Sequence, residues 1–122
     1  MKNRFFRRGY EITLNKIHDT VKVTENGESL VLTVCADPMR IVSGLSRAQE
    51  KMQKLSEQDE PDMKELHEAA EYFAAVIFGV EQAEKLFSFY GNDPACVINV
   101  CGQYFRERLQ DKITAAQKRF KV

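Results

Sequence analysis

Apolar side chains recur at every second position between residues 10 and 35, and at every third or fourth position beyond residue 37. The first spacing is that of a strand with one buried face, the second that of amphipathic helices. Tyr10, Ile12 and Leu14 alternate with Glu11 and Thr13 and predict a strand. Val21-Lys22-Val23-Thr24-Glu25 and Glu28-Ser29-Leu30-Val31-Leu32-Thr33-Val34 flank Asn26-Gly27. Both residues of that dipeptide tolerate positive φ, which a two-residue hairpin turn requires. The turn sets Val23 opposite Leu30 and Val21 opposite Leu32, so the apolar residues of both strands share one face. A lone hairpin is marginal in water, and Tyr10–Leu14 is the candidate for a third strand.

Asp37-Pro38 reads as a helix start, an N-cap carboxylate followed by proline at the first helical position. Ile41, Leu45, Ala48, Met52 and Leu55 then form a single apolar stripe, which predicts a helix of about 18 residues. Polar residues and Pro61 interrupt the stripe between Ser56 and Asp62. A second helix is predicted from Pro61 to Phe78 on Met63, Leu66, Ala70, Phe73 and Ile77. Ala69, Ala74 and Val76 widen its apolar side, and Gly79 stops it. A short third helix, Glu81–Tyr90, carries Ala83, Leu86, Phe87 and Tyr90; Asn92-Asp93-Pro94 then repeats the cap-and-proline start. The last helix runs from Pro94 to Phe120 with Val97, Cys101, Tyr104 or Phe105, Leu109, Ile113, Ala116 and Phe120 on one side. At ~1.5 Å per residue it is about 40 Å long, so its final turns, 115–120, are expected to project beyond the core. The fold class is α+β, with a hairpin or three-stranded antiparallel sheet followed by four helices. A chain of 122 residues builds one core, organised as a basic segment 1–9, a hairpin region 10–36 and a helical region 37–122.

Charge changes this picture in one respect. Eighteen Lys and Arg balance eighteen Asp and Glu, which argues against a dedicated duplex-DNA binder and leaves no net repulsion to oppose self-association. The charges are grouped, however. Lys2, Arg4, Arg7 and Arg8 make the start basic, Asp59, Glu60, Asp62, Glu65, Glu68 and Glu71 make the middle acidic, and Arg106, Arg108, Lys112, Lys118, Arg119 and Lys121 make the end basic. Solvated helix faces account for such groups, and so does head-to-tail pairing of copies through Glu65, Glu68 and Glu71 on one side and Arg106, Arg108 and Lys112 on the other.

Candidate catalysis and metal binding find little support. His18 falls on a predicted loop. His67 lies on an acidic helix among Glu65, Glu68 and Glu71, where a His–carboxylate pair is possible beside plain solvation. No GxSxG elbow and no glycine-rich phosphate loop occurs in the sequence. Cys96 and Cys101 are five apart, which on a helix turns them about 140° from each other, and no CxxC or HxxxH spacing supplies further ligands. They read as small interior hydrophobes. No enzyme, metal or cofactor is therefore expected. Three cysteines without a signal peptide, and no apolar run of about 20 residues, point to a soluble protein of a reducing cytoplasm. Arg4, Arg7 and Arg8 interleave with Phe5 and Phe6, a mixture able to grip single strands, although a disordered tail or a strand edge protected by charge explains it better. A helix-turn-helix reading of Glu81–Tyr104 fails, because its second helix opens on Ala95, Cys96, Val97 and Ile98 rather than on base-reading side chains. What remains is a surplus of aromatic side chains. Phe87, Phe89 and Tyr90 lie on different sides of a short helix, so at least one is expected at the surface, and with Tyr104 and Phe105 they are the candidate partner-binding residues.

The run Phe78-Gly79-Val80-Glu81-Gln82-Ala83-Glu84-Lys85-Leu86, then Phe89-Tyr90-Gly91-Asn92-Asp93-Pro94, Val97–Phe105 and Lys112–Lys118 resembles the tail assembly chaperones of long-tailed bacteriophages and prophages of Gram-positive bacteria. Over the hairpin and first helix the resemblance is one of layout only. It implies a non-enzymatic role in the bacterial host cytoplasm: binding the helical tape measure protein, shielding its apolar stripe, and assisting assembly of the tail tube with the major tail protein. It also implies oligomers of the chaperone along that client. The alternatives are a structural completion or connector component retained in the virion, and a small regulator that binds nucleic acid through its basic start.

Overall fold

The computed structural model describes residues 16–119; the strand expected at Tyr10–Leu14, the basic segment 1–9 and Phe120 lie outside the described residues. β1 (Ile17–Glu25) and β2 (Glu28–Ala36) form a two-stranded antiparallel sheet. Asn26 and Gly27 have φ of 51° and 83°, the pair of positive values that a tight hairpin turn needs. The register is the one the turn dictates: Val23 faces Leu30, Val21 faces Leu32, and pairing continues out to Ile17 and Ala36. Ile17, Val23, Leu32 and Val34 are buried on the shared face, and the alternate residues are exposed on the other. The first strand therefore begins at Ile17 rather than Val21, and His18 is corrected from a loop residue to an exposed strand residue opposite Cys35.

Among the described residues four helical runs follow, the last of them interrupted, so the chain is α+β as its pattern implies. Helix α1 (Pro38–Ser56) opens on Asp37, whose carboxylate accepts the Met39 N–H at 3.0 Å. Helix α2 (Met63–Phe78) is capped by Asp62 through the Lys64 N–H at 3.1 Å; Pro61 precedes the cap, so the helix starts at Met63 rather than at the proline. Gly79 is the single residue between α2 and α3 (Val80–Phe89). Its φ of 88° and ψ of 160° lie in a region essentially restricted to glycine. Its N–H reaches the Ala75 carbonyl and its own carbonyl accepts from Ala83, both at 2.9 Å, so one residue closes one helix and opens the next. The last helical segment comprises α4 (Pro94–Tyr104), capped by Asp93, a π-helical turn at Phe105–Leu109, and α5 (Gln110–Arg119).

Helix α2 is the hub. Helices α1, α3 and α4 pack on it, β2 lies against α2 and α3, and α5 reaches α1 and β1. The expected stripes become the core: Ile41, Ala48 and Leu55 on α1, Ala69, Ala70, Ala74 and Ile77 on α2, Ala83, Leu86 and Phe87 on α3. Met63 is an exception, 64% exposed at the start of its helix. Ile113 and Ala116 are buried in the main cluster, which corrects the expectation that the turns from Ala115 onward leave the core. Helix α1 approaches α2 closely at Gly44, where a Cβ would lie 2.8 Å from both Val76 methyl groups. Gly44→Val is expected to destabilise the fold by about 2 kcal/mol through overpacking. Urea unfolding measures the loss, and a second change, Val76→Ala, should recover part of it.

Candidate functional site

The π-helical turn places a polar cluster between the last helix and the sheet. An α-helical step of five residues would turn Leu109 about 140° away from Tyr104. Within the turn the Gln110 N–H bonds to the Phe105 carbonyl five residues back, and Tyr104 and Leu109 both face inward, 6% and 0% exposed. The Tyr104 hydroxyl donates to one Asp19 carboxylate oxygen at 2.9 Å, and the Arg108 guanidinium donates to the other at 2.7 Å. The Thr20 N–H completes the set at 2.9 Å. Asp19 occupies the core face of β1, opposite Val34, with its side chain only 7% exposed. Burial alone would raise its pKa, but the Tyr104 hydroxyl, the Thr20 N–H, Lys112 and Arg108 outweigh burial and hold it below its ordinary 3.8. The same burial, with the Asp19 charge, drives the Tyr104 phenol upward, so it remains a donor. The cluster ties α4 and the π turn to β1. It is built of satisfied partners and offers no unpaired nucleophile or base.

A second device ties α3 to the sheet. The Gln82 amide oxygen accepts from the Thr33 N–H at 2.8 Å, while its nitrogen donates to the Thr33 carbonyl at 2.6 Å and to the Phe78 carbonyl at 2.7 Å. The side chain thus takes the place of a neighbouring strand at that rung of β2 and closes the edge there. Neither Asp19 nor Gln82 is singled out by sequence reasoning. Asp19 does leave a signal: in the register of the Asn-Gly turn it shares a face with Val21 and Val23, a carboxylate at a core position.

The five candidate aromatic residues do not form one surface. Phe87 and Tyr104 are buried, 5% and 6% exposed, and are corrected from partner-binding to core. Phe89, Tyr90 and Phe105 are half-buried against the core, so the expectation that one of the α3 aromatics stands fully at the surface is also corrected. Phe89 and Tyr90 pack edge to face at 5.1 Å between centroids, Phe89 toward Leu30 and Tyr90 toward β1. Phe105 lies in a groove walled mainly by apolar side chains. Between α1, α2 and α4, a cavity of about 420 Å³ is lined by Leu45, Met52, Phe73, Ile98 and Phe105, all half-buried, above Ala48 and Gly102. Gln49, Asn99 and Arg106 form its polar rim. Ala48 and Gly102 make the hollow because neither carries a side chain beyond Cβ. This groove is missed by sequence reasoning, since each of its walls belongs to a different helix.

The charged candidates separate as well. Glu65, Glu68, Glu71 and Arg106 are exposed, whereas Arg108 is engaged by Asp19 and Lys112 is half-buried near the same carboxylate. His67 lies 3.1 Å from the Glu71 carboxylate and against the Phe87 ring, centroids 4.6 Å apart and planes tilted by 43°, so the His–carboxylate pair is formed on a partly exposed helix face. Cys101 is buried, its thiol pushed up to about 12 by burial. Cys96 is half-buried, its thiol 3.4 Å from the Asp93 carboxylate, and Cys35 is exposed. Among the described residues no group of three or more His, Cys, Asp or Glu is arranged to hold a metal ion, and no helix is long and apolar enough to cross a membrane. Comparison of the chain with family models, with curated proteins and with solved structures finds no match.

Proposed function

We propose that the chain is a non-catalytic assembly chaperone that holds an amphipathic helix of a larger client. The observation that carries this reading is the groove of Leu45, Met52, Phe73, Ile98 and Phe105, an apolar hollow left half-open between three helices. A helix docks in such a groove through side chains at i, i+3, i+4 and i+7, with a polar rim fixing its direction. Gln49, Asn99 and Arg106 supply that rim. The resemblance of 78–118 to phage tail assembly chaperones names the client as the tape measure protein, whose long helical chain presents an apolar stripe of this kind.

The reading is tested with tape measure protein co-expressed with the full chain. Met52→Glu and Phe105→Glu are each expected to weaken capture by about tenfold or more, with far-ultraviolet circular dichroism unchanged for Met52→Glu, which lies outside the central cluster. Full-strength capture by a folded Met52→Glu variant would remove the groove from the interaction. Presence of the chain at fixed stoichiometry in finished particles would replace the chaperone role with a structural one.

A further inference from the structure

One face carries a row of cations beside a row of carboxylates. On α1, Arg40, Arg47, Lys51 and Lys54 follow one another at 7, 4 and 3 residues and so share one side of the helix. All four are exposed, and among the described residues none of them forms an ion pair. Beside this cationic ridge runs the groove between α2 and α3, about 510 Å³ in volume. Glu68 and Glu71 stand on one wall and Glu84 on the other, over Ala83 and Phe87, with Val80 66% exposed. Tyr72 joins the two halves: the Lys51 ammonium lies 5.4 Å from its ring centre, and Tyr72 lines both this groove and the hollow that holds Arg40 and Arg47.

A cationic ridge next to an anionic groove is self-complementary under a two-fold rotation, which places the ridge of each copy in the groove of the other. We propose that this face pairs two copies of the chain as an isologous dimer, α1 of each copy against the α2–α3 groove of its partner, with Tyr72 near the two-fold axis. The zero net charge of the chain leaves no overall repulsion against the pairing. Of the acidic partners expected from sequence, Glu68 and Glu71 are retained and Glu65, which accepts from the Gln58 amide, lies outside the groove; the basic partners move from the C-terminal helix to α1, because Arg108 and Lys112 already serve Asp19 and Arg106 rims the apolar groove. The surface is distinct from the apolar groove, which takes the Leu45, Ala48 and Met52 side of α1.

Sedimentation equilibrium of the full chain tests the pairing through a charge swap. The unaltered chain should dimerise at low ionic strength and dissociate progressively toward about 1 M salt, where the screening length falls to roughly 3 Å. Glu68→Lys with Glu71→Lys, and separately Arg47→Glu with Lys51→Glu, should each weaken dimerisation by about tenfold or more. An equimolar mixture of the two variants should restore it, because the reversed groove of one meets the reversed ridge of the other. A second swap, Glu84→Lys against Arg40→Glu, repeats the comparison at exposed positions should either double variant fail to fold. A monomeric unaltered chain, undiminished dimers in the folded single-side variants, or a mixture that stays monomeric would each overturn the proposal.

Discussion

Asp19→Ala is expected to lower the free energy of unfolding by about 3 kcal/mol at neutral pH, near the lower end for breaking a buried charge pair because Arg108 keeps access to water. The change leaves the Tyr104 hydroxyl, in a residue 6% exposed, without its acceptor. It also frees the Arg108 guanidinium and the Thr20 N–H. Tyr104→Phe removes only one of these bonds and should cost less, and the double variant should cost less than the sum of the two singles, because they share a bond. The dependence on pH has a definite sign. The folded-state pKa of Asp19 lies below its ordinary 3.8. Its contribution is therefore fully present above 3.8 and is lost as pH falls through the depressed value. Urea titrations at neutral and acid pH should show the gap between the native chain and Asp19→Ala closing in the acid; a gap that widens there would refute the assignment.

The second large effect concerns the π-helical turn. Leu109→Ala should destabilise the chain by about 3 kcal/mol, since Leu109 is wholly buried and the neighbouring helices can fill the void only in part. Deletion of the exposed Glu107 should cost far less, roughly 1 kcal/mol for the surface-exposed half of the Asp19 cluster. The reason is geometric. A π turn is an α-helix carrying one extra residue, and removing one within 105–108 brings Leu109, Ile113 and Ala116 onto a regular α-helical stripe with Val97, Cys101 and Tyr104. Thermal unfolding followed by circular dichroism distinguishes the outcomes. Loss of cooperative melting in the deletion variant would mean that the π turn is itself required, beyond the register it maintains.

The two devices bear on function through rigidity. Asp19 and Gln82 fasten α4 and α3 to opposite strands of the same hairpin, and α2 holds α1 and α4 on either side of the apolar groove. A groove whose walls are anchored in this way loses less conformational freedom on binding than one formed by loops. In the chaperone reading, weakening the Asp19 cluster would reduce client affinity as well as stability, because Phe105 and Arg106 lie in the very turn the cluster holds.

Much of the architecture is legible in the residues because it is set by local chemistry. Asn26-Gly27 selects the turn and hence the register; Asp37 and Asp93 each cap a helix as the proline after them suggests, whereas the cap at Asp62, one residue past Pro61, is shown only by the structure. Gly79 ends one helix where a residue with a Cβ would be strained. The π turn is not legible: Cys101, Phe105, Leu109 and Ile113 step by four and read as one continuous helix from Pro94, and only the structure turns Tyr104 inward and inserts the extra residue before Leu109. Which aromatics are exposed was not legible. Phe87 and Phe89 differ by two positions on one short helix, and only the placement of α2 and of the hairpin determines that the first is covered and the second half-covered.

By itself, then, the sequence determined the hairpin turn and its register, the four helical runs, the caps at Asp37 and Asp93 and most of the core stripe, because each follows from interactions within a few residues of chain. The tertiary structure alone decided that Asp19 meets Tyr104 and Arg108 across more than eighty residues, that Gln82 completes the edge of β2, and that an apolar groove opens between α1, α2 and α4. These features depend on the relative placement of elements distant in sequence. Such placement is settled by the summed packing of the whole core rather than by any periodicity within one segment.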